Sequence, residues 1–226
     1  MSSLATVWVI LQKDIVTELR TREVVATMGL FALLMVVIFA FAFPIDLRTA
    51  KVVTPGIVWV VVLFSGTLGL GRVFDREREA NGMNALLLCP GGAQSVYLAK
   101  VLGVILFTVL VELVTLPVAF LFLGVSVPVE GLGLLIAALA LGTVGFALIG
   151  TLFAGMLAST RLRDVLVPVV VYPVVVPVLI AGVELTSIAP GHGMPDNTGR
   201  WLQLMGGFDL LYAAIAPWVF ARAMTR

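Results

Sequence analysis

The chain has 226 residues, of which 61% are hydrophobic and only 12% charged, and its formal net charge is +1. Mean hydropathy is +1.14. That balance excludes an ordinary soluble domain and gives no electrostatic case for a nucleic-acid partner, so the lipid bilayer is the expected solvent. A backbone in lipid must satisfy its own hydrogen bonds, as helices or as a closed barrel. Barrel strands alternate apolar and polar residues, whereas here the apolar residues run in long unbroken blocks. The expected class is all-α and polytopic. The single cysteine, Cys89, excludes a disulfide within the chain. The first residues lack the pattern of a secretory signal, so insertion is expected to use the first true span.

Residues 1–23 are amphipathic. Leu4, Val7, Trp8, Leu11, Ile15 and Leu19 share one helical face, and Gln12, Lys13, Thr17, Glu18 and Arg20 the other. This predicts a helix lying in the membrane interface, against the alternative of a solvated tail. The first span is expected over Val24 to Phe43, ended by Pro44 and followed by a polar loop with Asp46, Arg48 and Lys51. The second is expected over Val52 to Gly71, and a polar stretch then runs from Arg72 to Lys100. The third and fourth are expected at Val101 to Gly124 and Leu132 to Ala158. A basic turn, Ser159 to Asp164, leads to the fifth at Val165 to Val183. A loop over 184–201 holds Pro190, Gly191, His192, Gly193, Pro195 and Asp196, before a sixth span at Leu202 to Ala221. Each block is long enough, at about 1.5 Å per residue, to cross a hydrocarbon core of roughly 30 Å.

Charge placement tests this division. With the N-terminus in the cytoplasm, the inner segments hold Lys13, Arg20, Arg22, Arg72, Arg76, Arg78, Lys100, Arg161, Arg163, Arg222 and Arg226. The outer loops hold only Arg48, Lys51 and Arg200. Positive charge concentrates at the cytoplasmic ends of spans, so both termini are expected inside. One domain of six spans is predicted, with no repeat or linker dividing it.

Enzyme chemistry finds no footing in the sequence. His192 and Cys89 fall on opposite sides of the membrane in this topology, and no metal-ligand spacing or nucleophile–base set can be assembled. There is no phosphate-binding G-x-x-x-x-G-K-[ST] loop, so ATP chemistry would belong to a partner. Two acids interrupt apolar spans, Glu112 and Asp209. A carboxylate at mid-bilayer costs about 2.5–3.5 kcal/mol on insertion scales. A proton relay, a packing hydrogen bond and a bundle-lining position all remain open for Glu112, and Asp209 is placed nearer the outer interface. In the fourth span Ala147, Thr151, Gly155 and Ser159 recur at four-residue steps. Small residues in register suit a tight helix pair or an interface with another subunit, including a second copy of the chain, although glycine drift in a membrane helix gives the same pattern.

The segment 72–100 carries most functional information. Arg72, Phe74, Asp75, Arg76, Glu77, Arg78 and Glu79 form a mixed-charge turn or two, broken by Asn81 and Gly82. Met83, Leu86, Leu87 and Leu88 follow as an apolar surface before Pro90-Gly91-Gly92 turns the chain back. Charged residues that set orientation beside apolar anchors suit the docking of a soluble subunit, and a connector with its leucines on the lipid surface is the plainer alternative.

These features together resemble the ABC type-2 permeases, and more closely the haem exporter protein B family, CcmB. Pro55-Gly56-Ile57 with Trp59 is similar to that family's P-G-I-x-W opening of the second span. Arg72, Phe74, the acidic cluster, Gly82, Leu86 to Leu88, Pro90 and Leu98-Ala99-Lys100 continue the likeness. So do Arg161, Arg163, Pro168, Pro173, Pro177, Leu179 and Ile180, and the early Lys13-Asp14, Glu18-Leu19-Arg20 and Arg22-Glu23. The likeness runs to about residue 184; beyond it only hydropathy guides the reading. The resemblance implies an inner-membrane permease subunit that pairs with a soluble CcmA ATPase and associates with CcmC and CcmD. It also implies service to the haem chaperone CcmE, by moving haem or by driving release of the loaded chaperone. With His192 the only imidazole, coupling and release are favoured over direct haem coordination, and no cofactor is expected on this chain itself. A different ABC type-2 exporter, or a proton-coupled carrier using Glu112, are the competing functions.

Overall fold

Seven helices account for the described residues, which are 3–42, 47–74, 92–188 and 197–224 of a computed structural model, and no strand occurs among them. In chain order they are α1 (Ser3–Thr21), α2 (Glu23–Ala42), α3 (Leu47–Val73), α4 (Gly92–Leu123), α5 (Val129–Met156), α6 (Arg163–Ile188) and α7 (Thr198–Met224). All but α1 are long and apolar enough to cross a membrane. The chain is therefore an all-α, multi-pass membrane protein.

Most helices outrun their expected spans. Arg48 and Lys51, read as loop, belong to the first turns of α3. Residues 92–100, read as part of a polar connector, already belong to α4. Glu184 and Arg200, read as the two ends of a loop, lie inside α6 and α7. Hydropathy marks only what must be dry, while backbone hydrogen bonding continues each helix past the lipid boundary until a turn residue stops it. Gly124 is such a stop. It takes a left-handed φ of 66°, and Val125 N–H donates to Phe120 O while Gly124 N–H donates to Leu121 O, the reciprocal pair that closes a helix C-terminus.

Helix α5 is the centre of the bundle, packing against α3, α4, α6 and α7, whereas α2 lies outside, against α3 and α4. Its glycines explain how. A Cβ on Gly142 of α5 or on Gly182 of α6 would overlap the Trp59 ring of α3. That indole is thus held in a socket between two helices, and its Nε1–H donates to Thr186 Oγ1 at 3.0 Å. Gly150 likewise receives Leu70, Gly155 receives Phe220 of α7, and Gly66 of α3 receives Phe146. Large side chains on one helix fill the gaps that glycine leaves on the next, which yields dispersion contacts unavailable from lipid. The three prolines of α6 do not break it: Pro173 and Pro177 lie on its exposed side, while Val167, Val171, Val175 and Val178 face the core.

Helix α1 packs along α4. Its apolar residues split into two sets, a refinement of the single face expected from the sequence. Val7, Ile10 and Leu11 are buried, whereas Leu4 is 79% and Trp8 63% exposed, with Leu19 also outward. Arg22, at φ 56°, turns the chain from α1 into α2. Glu18 is buried there, and its Oε1 accepts Val25 N–H at 2.9 Å. Arg22 cannot cap the free N–H groups at the start of α2, so a carboxylate from the preceding helix does so.

The Trp59 socket is directly testable. Gly142→Ala and Gly182→Ala are each expected to destabilise the protein by about 1–3 kcal/mol through overpacking. Thermal unfolding in detergent should show a lowered midpoint, partly restored when Trp59→Phe supplies a smaller ring. Unchanged midpoints for both glycine variants would refute the socket.

Candidate functional site

The site is built where α1 meets one end of the bundle, at the last turn of α3. That turn ends in carbonyls without intrahelical donors and carries the negative end of the helix dipole. Two buried cations from other helices meet it. Lys100 Nζ of α4 donates to Val73 O at 3.2 Å, and Arg163 Nη2 of α6 donates to Gly71 O at 2.7 Å. Lys100 is 1% exposed, and its ammonium also pairs with Asp14 Oδ2 of α1 at 2.8 Å. It further sits 5.8 Å from the centre of the fully buried Phe74 ring. A buried ammonium is tolerable only when it is paired and hydrogen-bonded, and here α1 and the end of α3 supply the partners. One residue thereby joins α1, α3 and α4, and Arg163 adds α6.

Behind this cluster Tyr97, fully buried, donates its hydroxyl to Leu148 O of α5 at 2.8 Å. Its ring lies 5.2 Å from that of Phe220. The end of α3, the start of α4, the later part of α5, the start of α6 and the end of α7 are therefore gathered at the same end of the bundle as α1.

Among the residues expected to couple to an ATPase, Arg72 is exposed in the last turn of α3 and Phe74 is buried beneath Lys100. Asp75, Arg76, Glu77, Arg78, Glu79, Leu86 and Leu87 lie outside the described residues, as do Asp46, Asn81, Gly82, Cys89 and the 189–196 stretch with His192. In the small-residue stripe, Ala147 and Thr151 are fully buried, and Gly155 meets Phe220 of the same chain. Ser159 is exposed in the turn after α5.

The two intramembrane acids are kept apart. Glu112 of α4 is 7% exposed and accepts a hydrogen bond on Oε1 from Thr143 Oγ1 of α5 at 2.7 Å. Asp209 of α7 is 8% exposed and packs on Gly145 of α5, and among the described residues neither of its oxygens has a hydrogen-bond partner. Thr143 and Gly145 are two positions apart on a helix, so they face nearly opposite sides of α5. The acids consequently form no pair. Asp209 is buried within the bundle.

Asp14, Lys100 and Arg163 act together here, although none stands out as a site residue by spacing. Lys100 and Arg163 read as boundary charges, and Asp14 enters only through the family likeness; the partner of each lies 27 to 92 positions away in sequence. Beyond the family likeness, in which Lys13-Asp14, Leu98-Ala99-Lys100 and Arg163 all take part, the signal is local: a lysine at the head of a long apolar block.

A bundle of six bilayer-length helices with the end of α3 clamped by buried cations defines a polytopic, all-α membrane protein. The CcmB family model, described as CcmB protein, matches residues 5–226. The chain belongs to the CcmB family. It is similar to the Heme exporter protein B of Haemophilus influenzae, at 26% identity over 215 residues and 95% of either chain. The Heme exporter protein B of Pseudomonas aeruginosa is 29% identical over 205 residues, 91% of this chain and 89% of that one. The protein of the same name from Paracoccus denitrificans is 28% identical over 176 residues, 78% of each.

Removing one member of this pair takes away a charge-assisted hydrogen bond in a largely dry setting, typically worth about 1.5–3 kcal/mol, while Asp14 still keeps Lys13 Nζ at 3.0 Å when Lys100 is replaced. Lys100→Met and Asp14→Asn should each lower the thermal midpoint, and the double variant should cost clearly less than the two added together. Strict additivity would show that the two groups are not coupled.

Proposed function

We propose that the chain is the membrane permease subunit of an ABC-type complex serving cytochrome c maturation. A partner ATPase of the CcmA kind would drive it, and haem would be the species exported or delivered. Membership of the CcmB family, with Heme exporter protein B relatives aligned over nearly the whole chain, supports this reading. The structural observation that carries it is the clamp at the end of α3. Residues 75–91 follow Phe74 in the chain, and Lys100 and Arg163 tie the end of α3 that precedes them to α1, α4 and α6. A force applied by a docked ATPase at 75–91 would therefore reach four helices through two buried cations, rather than bend a loose loop.

In this proposal the clamped end faces the cytoplasm of a bacterial inner membrane, with both termini on that side. The excess of Lys and Arg in the segments assigned to it supports that orientation. Helix α1, with Leu4 and Trp8 outward, lies in the interface. ATP is bound by the partner and not by this chain, and CcmC-, CcmD- and CcmE-like proteins complete the pathway. Haem handling is assigned to the assembly, with this chain supplying coupled motion and release of a loaded chaperone. The separation of Glu112 and Asp209 on opposite sides of α5 favours this over a proton-coupled carrier, since no hydrogen bond among the described residues links them.

The experiment is a paired charge reversal, Asp75→Lys with Glu77→Lys, in a strain that depends on this chain for c-type cytochromes. The ATPase is expected to be lost from the purified complex, and mature c-type cytochromes to fall severalfold while the chain still inserts. Retention of the ATPase with normal maturation would sink the coupling role of 72–100. Glu112→Gln, which cannot carry a proton, is expected to leave maturation intact; its abolition would favour the carrier.

A further inference from the structure

Between α4 and α5 lies a cleft of about 370 Å³. Its wall is largely apolar, with Leu113, Leu116, Phe120, Ile136 and Leu139 among its residues, and the single ionisable residue that lines it is Glu112. Leu113 and Ile136 are 65% and 63% exposed, so the cleft opens on the outer surface of the bundle, where lipid would be. Asp209, buried to a similar degree, does not line it.

Two features make this cleft more than a crevice for an acyl chain. Among the described residues, the hydrogen bond to Glu112 comes from Thr143 and goes to Oε1, which leaves Oε2 with acceptor capacity whether the carboxyl group is ionised or carries its proton there. In addition, Pro117 lines the same cleft and has no N–H, so the carbonyl of Leu113, four residues earlier, loses its ordinary helical donor. Within lipid an acceptor without a donor is costly. A hydrocarbon chain would fill the volume but supply no donor. A molecule with an apolar body and a donating head would satisfy what the wall leaves unmade.

We propose that this cleft is a lateral binding site, entered from the bilayer, for a long-chain uncharged amphiphile whose head donates a hydrogen bond to Glu112. An alcohol is the simplest member of the class. An anionic head is disfavoured, because it would bring a second acceptor and negative charge against a carboxyl group.

The test uses the full chain in lipid nanodiscs with dicyclohexylcarbodiimide, a lipophilic reagent for buried carboxyl groups. The carboxyl oxygen bonds to the central carbodiimide carbon while the carboxyl proton passes to nitrogen. The resulting O-acylisourea then rearranges to a stable N-acylurea, which peptide mass spectrometry locates. Modification is expected at Glu112 and not at Asp209. Ala140→Trp, a change at an exposed position on the cleft wall, should slow it severalfold without loss of folded protein. Added 1-dodecanol should protect Glu112, whereas dodecane at the same concentration should not. Absent labelling of Glu112, equal labelling of both acids, or a rate unaffected by Ala140→Trp would overturn the lateral route. Equal protection by dodecane would reduce the cleft to an acyl-chain crevice and overturn the ligand class. Each readout is chemical and independent of cytochrome maturation, so its failure and that of the permease reading are separable.

Discussion

The arrangement of the bundle turns on one buried ammonium group. Lys100 Nζ meets a carboxylate of α1, a terminal carbonyl of α3 and the ring of Phe74 from a position on α4. Such a group adds little net stability, because its desolvation offsets most of the attraction it gains. What it contributes is register. Any slide of α1 along α4, or of α3 against either, leaves a charge or a carbonyl unpaired in a dry place. Arg163 applies the same constraint to α6 through the neighbouring carbonyl of Gly71.

The rest of the bundle is held by shape. In lipid no hydrophobic effect drives helices together, so contact area and the avoidance of voids decide which faces meet. The Trp59 ring fits between Gly142 and Gly182, Leu70 fits at Gly150 and Phe220 at Gly155. These pairings make α5 the common partner of α3, α6 and α7. They also explain why α2, whose Met28 reaches Gly69 of α3, is attached from outside. The polar clamp sets the end of the bundle, and the glycine sockets set its middle.

The intramembrane acids illustrate how far linear position can mislead. Both interrupt apolar blocks, and a carboxyl group in that setting invites one explanation for the pair. In three dimensions α5 stands between them. Glu112 has a threonine partner and borders a lipid-side cleft, whereas Asp209 is enclosed against Gly145. Their environments, and therefore their chemistry, are different.

By itself the sequence determined the class and the six apolar blocks, and it carried the family likeness. Apolar blocks of bilayer length admit one solvent, and the P-G-I-x-W and Leu-Ala-Lys segments carry the family likeness. Those are local properties, legible because periodicity and hydropathy act over one or two helical turns. The tertiary structure alone decided that Lys100 belongs inside a helix and is buried, and that Asp14, Gly71 and Val73 are the groups it and Arg163 fasten. It also decided that the small stripe of α5 meets Phe220 of the same chain, and that the two acids are apart. The physical reason is common to all four: each depends on which helix faces which. That is settled by steric fit and by pairing between groups far apart in the chain, and the one-dimensional pattern of apolar and polar residues does not encode it.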